Sequence, residues 1–168
     1  CIKNYFNFIK FVNNKRVNFY SKKVASQLSS EKEITIKKIF EDLVDQDQKN
    51  ITFKIDIEGS EYEIFNKILL YEKKIDQLIM EYHDIHLRKE EFFNNMRDIQ
   101  KYFYITHLHA NNYRNYNSDG FPINIEVTLL NRRFFDNNSK KNLNYPINNL
   151  DYPNNPDLND LKFNFNIS

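Results

Sequence analysis

Residues 51 to 69 change their hydrophobic period midway, and that change restricts the chain to a small set of folds. Ile51, Phe53, Ile55 and Ile57 alternate with Thr52, Lys54 and Asp56, the period-two mark of a strand. After Glu58-Gly59 the spacing turns helical, with Tyr62, Phe65 and Leu69 beside Ile64 and Ile68, behind a Ser60-x-x-Glu63 capping box. A strand that runs straight into a helix is the unit of α/β domains with parallel strands. The unit recurs: Ile75 to Tyr82 reads as a strand, and Phe92, Met96, Ile99 and Phe103 follow at helical spacing. Tyr102 to His109 then reads as a third strand and Ile123 to Leu130 as a fourth. The expectation is parallel strands with helical crossovers, finishing in a hairpin-like antiparallel pair.

The flanks are less regular. Lys3 to Val12 has a helical pattern, Arg16 to Val24 is strand-like, and Ile36, Ile39, Phe40 and Leu43 predict a short amphipathic helix behind Thr35. A length of 168 residues suits one core. The predicted division is an α/β domain over 1–133 and an Asn-rich extended tail over 134–168, broken by Pro146, Pro153 and Pro156. Leu158, Leu161 and Phe163 are its candidate docking residues. Residues 1 to 30 carry six Lys/Arg and no acid among several aromatics, a mixture that could stack on bases and pair with phosphates. The net charge of +1 and the general excess of Asn, Lys, Ile, Phe and Tyr favour a compositional bias instead, so no nucleic-acid partner is assigned. No apolar run approaches the ~20 residues of a membrane span, and the single cysteine, Cys1, allows no internal disulfide. The expected location is cytoplasmic.

Gly59 and Gly120 are the only glycines. A Walker loop, a Gly-x-Gly-x-x-Gly turn and a Gly-x-Ser-x-Gly elbow are therefore all excluded. Ligands of open α/β sheets gather beyond the carboxyl ends of strands, where Asp56 and Glu58 stand beside a helix start; the bland alternative is that they, with Glu61, serve only the turn and the helix dipole. All four histidines, His83, His86, His107 and His109, fall within 83–109. With a carboxylate such as Glu81 or Asp84 they could hold a divalent metal, but no dedicated metal spacing is present and hydrogen-bonding or acid/base roles are preferred.

The run Lys54-Ile55-Asp56-Ile57-Glu58-Gly59-Ser60-Glu61 resembles the hallmark of FkbM-type methyltransferases. Thr35-Ile36 and Ile39-Phe40 upstream resemble that family too, as do Glu81, His83, His109-x-Asn111-Asn112, Pro122 and Glu126-x-Thr128 downstream. The resemblance spans residues 16 to 133. It implies a Rossmann-like class I methyltransferase fold and S-adenosylmethionine-dependent transfer of a methyl group to an oxygen of a small molecule or glycan. Such folds carry a Gly-rich cofactor loop and an acidic residue after their first two strands, and neither is found here. With the Cys1 start, this leads to the expectation of a C-terminal portion of a longer methyltransferase, a fragment inactive by itself. On this reading Asp56, Glu58 and His83 are catalytic, with His83 as general base, while Glu81, His107, His109, Asn111 and Asn112 line the acceptor side. Two alternatives stay open: a metal-dependent hydrolase built on the His/Asp/Glu cluster, and a non-catalytic interaction remnant that self-associates through an exposed sheet edge.

Overall fold

The computed structural model describes residues 2–135, 142–163 and 165. Cys1 and tail residues 136–141, 164 and 166–168 lie outside the described residues. Helix α1 (Ile2–Val12) is followed by β1 (Lys23–Val24), which pairs in parallel with β2 (Glu33–Ile34). The strand expected over 16–24 is thus only two residues long, because a strand needs a partner ladder and only Glu33 and Ile34 supply one. On α1 the rings of Tyr5, Phe6, Phe8 and Phe11 stay exposed.

Thr35 caps α2 (Ile36–Lys38) by accepting from the Lys38 N–H at 3.3 Å, and the helix widens into a π turn over Ile39–Leu43. Its apolar side brings Phe40 into the core, stacked on Tyr71 with centroids 4.3 Å apart and edge-on to Phe53.

The main sheet comprises β3 (Ile51–Ile55), β4 (Ile75–Tyr82), β5 (Phe103–Ala110) and β6 (Ile125–Asn131), in the order β3-β4-β6-β5. Helix α3 (Glu61–Leu69) joins β3 to β4, which run parallel, and α4 (Lys89–Ile99) joins β4 to β5. The last strand, β6, lies antiparallel to both neighbours and is inserted between β4 and β5. Phe103, which the sequence puts both on the helical stripe and in the strand from Tyr102, is the fully buried first residue of β5.

Alternation sends one side chain in two to each face. Ile55, Leu78, Met80, Tyr82, Val127 and Leu129 share one face and pack with Ile64, Phe65 and Ile68 of α3 and Phe92, Met96 and Ile99 of α4. Each such burial is worth about 1.5–3 kcal/mol against exposure. The other face is polar. In one register row Lys54, Ile79, Thr128 and His107 are neighbours, and in the next Glu81, Glu126 and His109.

The tail crosses that polar face over β5 and β6, with no helix or strand among its described residues 142–163. Tyr145 is buried against His107, and Phe163 packs on the core. Strand β3 ends the sheet, and no described strand pairs with its outer edge.

Candidate functional site

The turn after β3 is tight because two successive residues occupy the left-handed region, Glu58 at φ 55° and Gly59 at φ 100°. This reverses the chain within three residues and points free N–H groups into the bend. The Glu61 carboxylate fills it. One oxygen accepts from the Ile57 N–H at 3.1 Å, the other from the Gly59 N–H at 3.0 Å, and the side chain is completely buried. The expected Ser60–Glu63 capping box does not form: Ser60 makes no side-chain cap bond. The Glu63 N–H donates to the Ser60 carbonyl at 3.2 Å instead of to its hydroxyl.

The same Glu61 carboxylate lies 3.0 Å from His83 Nδ1. His83 follows β4 and is only 7% exposed. Its backbone is tied to α3 by Tyr62, whose hydroxyl donates to the His83 carbonyl at 2.8 Å. Arg88 donates to the Gly59 carbonyl and lies 4.3 Å over the Tyr62 ring. Beyond His83, the Asp84 N–H donates to Asn124 Oδ1 and the Ile85 N–H to the Ile123 carbonyl, so the loop preceding β6 holds this corner from the other side.

An ionised carboxylate only accepts, so Nδ1 carries a proton, and in its neutral form the ring presents the Nε2 lone pair on its far side. Around Nε2 stand Glu58 at 3.5 Å, Glu81 at 3.6 Å and Asp56 at 3.9 Å. Asn111 Nδ2 donates to Glu81 at 2.8 Å. Burial pushes the Glu81 carboxyl above its ordinary pKa; the Asn111 hydrogen bond opposes this and the Asp56 charge adds to it. These groups, with Asp84, Tyr113, Arg114 and Asn124, line a cleft of about 390 Å³. A wider hollow near Lys22, Leu28 and Glu33 gathers no comparable set.

The structure therefore brings Asp56, Glu58, Glu81, His83 and Asn111 together. It does not bring in the rest. His107 pairs with Asp151 of the tail at 2.9 Å, and His109 is held between Glu126 at 3.5 Å and Asp160 at 3.1 Å. Asn112 clamps the tail, donating to the Asn155 carbonyl at 2.9 Å and accepting from the Asn155 N–H at 2.7 Å. His86 is exposed. A metal centre assembled from all four histidines is thereby overturned: His107 and His109 stand on a strand separated from β4 by β6, and tail carboxylates engage both.

The family profile of the methyltransferase FkbM domain matches residues 3–116, about two thirds of the chain. The chain belongs to the FkbM methyltransferase family. Searches of curated proteins and of solved structures each returned no match. The matched segment of the FkbM domain stops before β6, yet β6 lies inside the sheet, so the folded unit runs to at least Asn131.

S-adenosylmethionine is the methyl donor implied by the FkbM family. The described cleft does not fit its nucleoside. The walls are carboxylates, amides, an imidazole and a guanidinium with one phenol ring, Tyr113, and they offer neither an apolar slot nor a glycine-rich turn.

Four contributors escaped the sequence reading as site residues: Glu61, Tyr113, Arg114 and Asn124. Glu61 was visible as the last residue of the hallmark run and as a residue of the turn and helix dipole, not as a support of His83. Its burial depends on the positive φ at Glu58 and Gly59, which composition does not show.

Proposed function

We propose that the cleft is the acceptor side of an O-methyltransferase site and that it takes a polyhydroxylated small molecule or glycan. The single observation that carries this is the buried Glu61–His83 pair, which aims an imidazole lone pair at a ring of carboxylates. The acceptor hydroxyl donates to His83 Nε2, and neighbouring hydroxyls donate to Asp56, Glu58 and Glu81. As the hydroxyl oxygen becomes nucleophilic its proton passes to Nε2, and the resulting imidazolium is stabilised by Glu61 on one side and the cleft carboxylates on the other. Asn111 keeps Glu81 oriented. The donor would supply the methyl group from a sulfonium, whose S–C bond breaks as the O–C bond forms, and would leave as the neutral thioether.

The test is transfer of labelled methyl from S-adenosylmethionine to a panel of sugars and polyols. His83→Ala should lower turnover about 10²–10⁴-fold and Asp56→Asn should also lower it, whereas the exposed His86→Ala should not. Full turnover in both His83→Ala and Asp56→Asn removes them from the mechanism.

A further inference from the structure

We propose that Asp56, Glu81 and His83 form a binding site for one divalent cation of the manganese class. One donor atom from each lies within 4.8 Å of the others, close enough for small side-chain rotations to bring all three to a common ion. The His83 side chain is more than nine-tenths buried, its Nδ1 is anchored by Glu61, and its Nε2 makes no hydrogen bond among the described residues while pointing at the two carboxylates. A carboxylate holding the far nitrogen of a histidine, and an amide holding one oxygen of a carboxylate, are the outer-shell supports that orient metal ligands. Glu61 and Asn111 occupy those positions.

Charge favours occupancy. Asp56, Glu58 and Glu81 crowd one imidazole in a half-closed cleft, and like charges at that spacing repel unless a cation or a proton intervenes. One imidazole and two carboxylates, with open positions toward the cleft, suit manganese, iron or zinc better than an all-oxygen calcium site.

The inference rests on the acceptor-site reading only for what the cation does. It would present an electrophile to the acceptor oxygen, and it uses the same Nε2 lone pair, so a loaded site replaces proton acceptance by His83.

The experiment is titration of chelator-dialysed, untagged full chain with Mn²⁺, followed by electron paramagnetic resonance and calorimetry. The expected result is one saturable site per chain, weakened at least tenfold by each of Asp56→Asn, Glu81→Gln and His83→Ala and unchanged by His86→Ala, with circular dichroism confirming that every variant folds. No saturable uptake, or uptake indifferent to the three substitutions, overturns the proposal. Methyl transfer that persists in excess chelator yet is lost in His83→Ala overturns the cation and leaves the acceptor site intact. Saturable Mn²⁺ binding with no methyl transfer to any acceptor sustains the cation site and counts against the proposed function alone.

Discussion

Replacing Glu61 by Ala should be among the most damaging single changes this chain can suffer. The carboxylate accepts from Ile57 N, Gly59 N and His83 Nδ1 at 3.0–3.1 Å with no exposure to water. Hydrogen bonds to a charged group contribute about 1.5–3 kcal/mol each, and donors left buried without a partner cost about 1–3 kcal/mol. The three bonds share one acceptor group, so they do not add in full, and a loss of about 3–5 kcal/mol is expected. Native domains are stable by only about 5–15 kcal/mol. Urea unfolding at neutral pH, followed by far-UV circular dichroism and by tyrosine fluorescence, measures this directly, since the chain has 11 tyrosines and no tryptophan. Glu61→Gln should cost less, about 1–2 kcal/mol, because one amide end still accepts while the NH₂ end faces a donor. In Glu61→Ala, nitrogen NMR of His83 should show the ring released from a single tautomer. A cost below about 1 kcal/mol for Ala, with the His83 tautomer unchanged, would refute the reasoning.

Gly59→Ala should destabilise by about 1–3 kcal/mol through backbone strain alone, since an added Cβ meets nothing within 4 Å at φ +100°; unfolding midpoints equal to those of the parent would show that the bend relaxes. The hydrogen bond to Glu126, aided by Asp160 and opposed by burial, raises the His109 pKa from 6.5 to about 9. A raised folded pKa gives stability that is complete below the unfolded value and lost as pH rises through the folded one. Attachment of the tail through His109 and Asp160 should therefore weaken between pH 6.5 and about 9, seen as faster amide exchange over residues 142–163, and a flat profile across that range would contradict the pairing. His109→Ala should remove the dependence.

Much of the frame was legible because it follows from local periodicity. Ile75–Tyr82 emerges with its expected bounds, Thr35 caps its helix, and the strand-to-helix change at Glu58-Gly59 lies where the period switches. The misses occur where a local pattern does not name its partner. Ser60 makes no side-chain cap bond because the Glu63 N–H goes to its carbonyl, and most of 16–24 finds no partner strand. In the site, Asp56, Glu58, Glu81, His83 and Asn111 share a cleft because parallel β3 and β4 end side by side. The spacing of His107 and His109 could not reveal that tail carboxylates would cover them.

The sequence by itself determined the alternation of strands and helices, the acidic corner after β3 and the FkbM signature, because side-chain period and turn chemistry act over a few residues. Only the tertiary structure decided that β6 enters between β4 and β5, that Glu61 turns inward to hold His83, and that the tail takes up two of the four histidines. Those outcomes depend on which buried donors and charges meet across tens of residues, and a buried polar group must find its partner wherever the packed chain places one.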